Sequence, residues 1–214
     1  MRPFGLPESF TTGQAAAAGL ASTTLYRLRD RGEVVELSRG VWRWADAAPT
    51  AYESLLAVTL RAPHGTVCLV SALAVHELTD EIPAAVDLAV ARGTTRPQVS
   101  YPPVIVHVFE ADTFELRRDQ VEIAPGEHVP VYDPARSVVD ALRLRHQVGV
   151  DIAYGALRRL LAGRRGAVRD VLDVARTLDG EGPSRAALEV LQASASRLRV
   201  PHRGERVADI TSEP

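Results

Sequence analysis

Residues 11–44 read TTGQAAAAGLASTTLYRLRDRGEVVELSRGVWRW, and the order of elements in this stretch decides how the chain begins to fold. Thr11 or Thr12 can cap a short helix running through Gln14 to Ala18, because a hydroxyl beside a helix start satisfies an N–H that has no partner within the helix. Gly19 stops that helix. Ser22 and Thr23 offer a second cap. The helix that follows, about Thr23 to Arg31, turns Leu25 and Leu28 inward and ends at Gly32. Two short helices joined by a tight glycine-containing turn make a helix-turn-helix. Residues 34–37 and 41–44 then read as two strands joined across Ser38-Arg39-Gly40, with Gly40 suited to a turn conformation barred to most residues. Such a hairpin is the wing.

At about 100° per residue, Thr23, Arg27 and Asp30 fall opposite the side of Leu25 and Leu28, with Arg31 beside them. In a helix-turn-helix the N-terminal part of this second helix enters the major groove, where Thr and Arg meet phosphates and base edges. The candidate DNA contacts are therefore Ser22, Thr23, Thr24, Arg27 and Arg31, with Arg39 at the wing tip placed for a phosphate or the minor groove. A solvated helix and a charged hairpin tip would read alike in isolation, and Asp30, Glu33 and Glu36 weaken the positive field. The order helix, glycine turn, helix, hairpin favours DNA.

Outward from this stretch, Ala45-Asp46-Ala47-Ala48-Pro49 marks a boundary, after which a helical pattern begins at about Thr50 with Leu55, Leu56 and Leu60 apolar. A mostly apolar helix is expected over 71–78, strands over 86–91 and 104–109, and a hairpin over 120–123 and 128–132. From Asp133 the pattern is helical. Ala135, Val138, Val139 and Leu142 recur at helix spacing, then Ala153, Ala156, Leu157 and Leu160, then Val168, Val171, Leu172 and Ala175. A last helix after Pro183 uses Leu188, Leu191 and Leu198. The fold class expected is α+β: a winged helix-turn-helix in residues 1–45, a mixed α/β domain over 50–200 that ends in a helical C-terminal segment, and a flexible tail over 201–214.

All 25 basic residues are arginine; the chain contains no lysine. That excludes a P-loop, a kinase strand lysine and a pyridoxal Schiff base. Asparagine is also missing, and with Ala, Arg and Val abundant the composition reads as a coding bias. The net charge of −2 is uninformative, but its distribution is not. Residues 1–44 carry six Arg against four acids, residues 45–132 five against twelve, and residues 133–214 fourteen against eleven. Cys68 is the single cysteine, so neither a disulfide framework nor a cysteine zinc cluster can form, and its apolar flanks predict a buried side chain. With no signal-peptide run and no membrane-length apolar stretch, the composition predicts a soluble, cytoplasmic protein with no membrane partner.

Enzyme patterns are weak. His76-Glu77 resembles the start of a zinc-protease motif, but Asp80 stands where its second histidine belongs. Ser71 and His76 are five apart, a spacing that does not bring them together on a helix, and no nucleophile elbow is present. His107 reads as structural, and Glu77, Asp80 and Glu81 as a polar loop. The expectation is no catalysis, no metal and no cofactor. The arginines Arg143, Arg145, Arg158, Arg159, Arg164, Arg165 and Arg169 form the densest basic run. They are either a solvated helical face, as the Arg136 to Asp140 spacing suggests, or a second anionic contact surface for DNA or an acidic partner.

Four stretches, FTTGQAAAAGLASTTLYRLRDRGEVVELSRGVWRW, TVCLVSALAVHELTDEIPAAVDLAVARG, PPVIVHVF and VPVYDPARSVVDALRLRHQVGVDIAYGALRRLL, together resemble the AbiEi-family antitoxins of type IV toxin-antitoxin systems. The resemblance covers most of residues 10–161. It implies a winged helix that represses its own operon by binding inverted-repeat operator DNA, and a C-terminal domain that carries antitoxicity. It also implies a partner, a nucleotidyltransferase-like toxin encoded beside it, which such antitoxins can counter without a stable complex. The family usually has a full helix ahead of the position of Thr11. Here ten residues, with Pro3, Gly5 and Pro7 among them, imply a short helix or a truncated start. Two other readings remain: a winged-helix transcriptional regulator with a ligand- or partner-sensing C-terminal domain, and a nuclease or modifying enzyme fused to a winged helix.

Overall fold

Short hydrogen-bonded turns organise the start of the computed structural model, which describes residues 3–163 and 167–198. A 3-10 turn at Pro3–Gly5 leads into β1 (Ser9–Thr11), α1 (Thr12–Ala17), α2 (Ser22–Asp30), β2 (Val34–Ser38) and β3 (Val41–Trp44). Thr11 and Gln14 form a reciprocal capping box at the start of α1: Thr11 Oγ1 accepts the Gln14 N–H at 3.2 Å, and Gln14 Oε1 accepts the Thr11 N–H at 2.7 Å. Gly19, at φ +81°, takes the left-handed backbone that turns the chain between α1 and α2. The cap expected at Ser22 or Thr23 falls instead on Ala21, which makes no side-chain cap bond, so both hydroxyls sit inside the first turn of α2.

The three strands form an antiparallel sheet in the order β1-β3-β2, with Phe10 opposite Trp42 and Val34 opposite Trp44. Phe10, Ala15, Leu20, Leu25, Val34, Trp42 and Trp44 close into one core beneath α1 and α2. Helix, glycine turn, helix and hairpin on a small sheet are the winged helix-turn-helix read from the sequence.

The remainder is α+β. In chain order it runs α3 (Glu53–Arg61), β4 (Thr66–Val67), α4 (Leu69–Val75), β5 (Val86–Ala91), β6 (Val104–Phe109), β7 (Arg118–Ala124) and β8 (Glu127–Tyr132). The helices α5 (Pro134–Arg143), α6 (Arg145–Val148), α7 (Val150–Gly163), α8 (Ala167–Thr177) and α9 (Glu181–Leu198) follow. Five strands make a mixed sheet, β6-β5-β4-β8-β7, in which β5/β6 and β4/β8 are parallel and the other pairs antiparallel. Alternation along the strands sorts their side chains to two cores. Val86, Leu88, Val129 and Val131 join Leu55, Leu56 and Val58 of α3 on one face. Ala89 and Tyr132 join α5, α7, α8 and α9 on the other.

Helix α3 is buried at five successive positions, Leu55, Leu56, Ala57, Val58 and Thr59. A helix apolar around most of its circumference needs neighbours on several sides. It packs against all three strands of the small sheet and against β4, β5 and β8 of the large one. The molecule is thus layered as wing sheet, α3, large sheet and helical layer. The helix expected over 71–78 lies earlier, at Leu69–Val75, and α9 begins at Glu181, ahead of Pro183, which sits in its first turn. The tail expected over 201–214 lies outside the described residues.

Candidate nucleic-acid interface

The wing is fixed by its own backbone. Gly40, at φ +75°, forms the turn, its N–H bonds Glu36 Oε1 at 2.9 Å, and its carbonyl accepts the Thr12 N–H at 2.9 Å. Thr12 Oγ1 in turn accepts the indole N–H of Trp42 at 2.9 Å. The first residue of α1, the wing turn and the central strand are therefore one hydrogen-bonded unit, which sets where Arg39 projects. The buried Leu25 at the centre of α2 fixes that helix against the same core.

Of the sequence-chosen contacts, Ser22, Thr23, Arg27, Arg31 and Arg39 are exposed and Thr24 is half-buried. Arg27 Nη2 donates to Thr24 Oγ1 at 3.1 Å, so both are presented together by one turn of α2. Arg31 lies 3.4 Å from Glu33, and a carboxylate at that range competes with phosphate for it. Arg29 is held by Asp30 at 2.9 Å, which raises its pKa further. Tyr26, absent from the sequence-derived set, is 47% exposed on the same helix, packs edge-on against Trp42 and lies under the Arg29 guanidinium at 5.0 Å. Its place follows from Leu25 taking the core position, a signal present in the helical period.

Most described arginines have a carboxylate partner; Arg27, Arg39, Arg61, Arg96, Arg145 and Arg158 have none among the described residues. An unpaired exposed guanidinium keeps its full positive potential for a ligand. The C-terminal arginines divide on this criterion. Arg143 binds Asp140 at 3.0 Å and Arg159 binds Asp80, whereas Arg145 donates only to the Leu142 carbonyl at 3.0 Å and Arg158 is exposed. Arg164 and Arg165 lie outside the described residues.

The Arg136 to Asp140 spacing does not mark a solvated face. Both side chains are 1% exposed and meet at 2.6 Å in the middle of the helical core. Arg136 also donates to the carbonyls of Thr113 and Leu116 and lies 4.4 Å over the Tyr132 ring. This is a structural arginine, reached by burial that spacing alone does not reveal.

Of the residues weighed for catalysis, His76, His107 and Ser71 each have a hydrogen-bond partner. His76 Nε2–H donates to the Tyr132 carbonyl at 2.7 Å, and His107 Nε2 bonds Asp87 Oδ1 at 2.8 Å. Ser71 Oγ accepts the Asp87 N–H at 2.9 Å. Cys68 is fully buried, and burial pushes its thiol well above the ordinary range. No group of three His, Cys, Asp or Glu side chains that could hold a metal ion occurs among the described residues. No described helix is long and apolar enough to cross a membrane.

The fold and this surface define a winged helix-turn-helix protein whose second part is a mixed α/β unit closed by helices. Residues 9–45 match the model of the family described as "Transcriptional regulator, AbiEi antitoxin", and the resemblance to AbiEi antitoxins read from the sequence is borne out over that stretch. No curated protein matches the chain. Among solved structures, the chain is similar to the RV2827C protein from Mycobacterium tuberculosis at 18% identity and a TM-score of 0.48, over 86% of this chain and 76% of that one.

Proposed function

We propose that this chain is an antitoxin of a type IV toxin-antitoxin system, which represses its own operon by binding inverted-repeat DNA and neutralises a nucleotidyltransferase-like toxin encoded beside it. Operator binding falls to residues 1–45, antitoxicity to residues 50–200, and neither needs a catalytic group or a cofactor. The observation that carries the reading is the exposed row Ser22, Thr23 and Arg27 on α2, with an unpaired Arg39 at the wing tip, inside the stretch that matches the family. Hydroxyls at the start of the second helix, and a guanidinium one turn on with no carboxylate partner among the described residues, are the donors that major-groove edges and phosphates accept from.

A reporter driven by the promoter upstream of the gene tests the repressor half. The chain supplied in trans represses it, and Arg27→Ala with Arg39→Ala relieves the repression; an unrepressed reporter contradicts the reading. Co-expression with the adjacent gene tests the other half. Restored growth supports it, and continued toxicity removes it.

One observation favours a second reading, a regulator that senses a small ligand. A cavity of about 450 Å³ lies between α3, α4 and residues 79–85, bordered by Tyr52, Leu55, Ala74, Ile82 and Pro103. Its size and its mostly apolar lining, with Asp80 and Glu81 among the polar residues, suit a small molecule. Under that reading an apolar compound raises the melting temperature and releases DNA, and the neighbouring gene encodes no toxin.

A further inference from the structure

The wing does not stand alone on its side of the molecule. Ser38, at the wing turn, donates to the Tyr101 carbonyl at 2.5 Å, which ties the segment between β5 and β6 to that turn. Between them lies a cavity of about 640 Å³ whose lining includes Ser38, Arg39, Arg61, Gln98 and Ser100 and contains no carboxylate. Arg61 is the last residue of α3 and Arg96 stands one residue ahead of the lining residue Pro97; both are exposed. A cation at a helix C-terminus is favourable in itself, but Arg61 also lacks any carboxylate partner among the described residues, as do Arg39 and Arg96. The nearby Glu36 carboxylate is turned to the Gly40 N–H. Two of the six guanidiniums without a carboxylate partner among the described residues thus line one open, polar groove continuous with the wing tip, and a third, that of Arg96, belongs to the residue just ahead of its lining.

We propose that this groove, with Arg61 and Arg96 beside Arg39, is a second DNA-backbone site that takes phosphates flanking the base pairs read by α2. The proposal rests on the operator reading above and extends it: the α/β unit, through α3 and residues 93–103, shares in holding the duplex. Guanidinium, amide and hydroxyl groups offer only charge-assisted and neutral donors to a phosphodiester, and backbone contacts of this kind position a protein without reading sequence.

The test is binding of the full chain to its upstream DNA and to an unrelated duplex across a range of salt concentrations. Arg61→Gln and Arg96→Gln each flatten the slope of log K against log salt by about 0.9, the double variant flattens it by about 1.8, and binding to both duplexes weakens by the same factor. Arg185→Gln, on α9, leaves the slope unchanged. Ser100→Asp places a carboxylate in the groove and weakens binding without removing an arginine. Wild-type slopes in Arg61→Gln and Arg96→Gln overturn the groove while leaving the operator reading intact. An equal loss in Arg185→Gln overturns it too, as a general charge effect. A wild-type chain that binds neither duplex overturns the operator reading and the groove with it.

Discussion

The Asp140 carboxylate is fully buried and receives charge-assisted bonds from Arg136 at 2.6 Å and Arg143 at 3.0 Å. Burial pushes its pKa up, against the opposing pull of both guanidiniums. Asp140→Asn leaves the 1% exposed Arg136 without its counter-ion, and a buried charge stripped of its partner costs about 3–5 kcal/mol. Denaturant titration at neutral pH should show a loss of that size, and a change within about 0.5 kcal/mol would show the pair is dispensable. Cys68 supplies a second prediction at this scale. Its pKa is raised in the folded state, so the unfolded chain loses the proton first as pH rises. The stability it contributes is complete below the ordinary thiol range and declines above it. Tyr132, raised by burial in the same sense, adds to that alkaline decline. Accordingly the native thiol should be inert to a disulfide reagent at mildly alkaline pH and react once denaturant is added, and Cys68→Ala should flatten part of the alkaline loss. Rapid labelling of the native chain would contradict the burial. The burial of Cys68 was legible from its apolar flanks. That of Arg136 was not, since an i to i+4 pair of opposite charges reads the same on a wet face as in a core.

At the scale of elements, α2 depends on one residue more than on its caps. Leu25 is 1% exposed against Phe10, Leu20 and Trp42, while the N-cap position holds Ala21 with no side-chain bond. Leu25→Ala should destabilise the protein by about 2–5 kcal/mol and abolish DNA binding, because the cavity lies under the helix that carries Arg27. Thermal melts and binding measured on the same sample check both; a loss of stability with full binding would separate α2 from the interface. The helix, turn and hairpin of residues 12–44 were readable because glycines punctuate them and Leu25 sets the inner face. The strands β1 and β4, of three and two residues, were not, because a period of two needs more residues than that to declare itself. The start of α3 slipped from Thr50 to Glu53 for a tertiary reason. Thr50 Oγ1 donates to the Ile123 carbonyl at 2.7 Å and accepts the Tyr52 N–H at 3.2 Å, which holds Thr50 in a turn that precedes the helix.

For the whole molecule the decisive contact is Arg43 with Glu127, 84 residues apart, at 2.7 Å and with side chains only 4% and 6% exposed. Ser9 adds a hydroxyl to the same carboxylate at 2.5 Å, and Arg43 also donates to the Ala48 carbonyl at 2.6 Å. Together with α3 between the two sheets, this joins the wing sheet to the β7–β8 hairpin, so the surface that carries Arg39 and Arg61 is held as one. Glu127→Ala removes the close, buried partner of Arg43 and leaves it Glu53 at 3.9 Å, and it should cost about 3–5 kcal/mol, with hydrogen exchange speeding in β1 and β3 as well as β8. Exchange that changes in β8 alone would show that the two sheets are not coupled. No single sequence announces a pair so distant, nor that Arg61 lines one groove with the wing turn, because both arise from the packing of layers. What local periodicity and turn chemistry could carry was the α+β class and the winged helix, together with the outward row on α2.

We propose above that the exposed residues of α2 and the wing bind the DNA upstream of this gene. Fluorescence anisotropy of a labelled upstream duplex, titrated with the full chain at several salt concentrations, tests it most directly. The expected result is tighter binding to that duplex than to a scrambled one, a log K that falls linearly with log salt, and loss of the preference in Arg27→Ala. Equal affinity for both duplexes, or an Arg27→Ala variant that discriminates as well as the wild type, would contradict it.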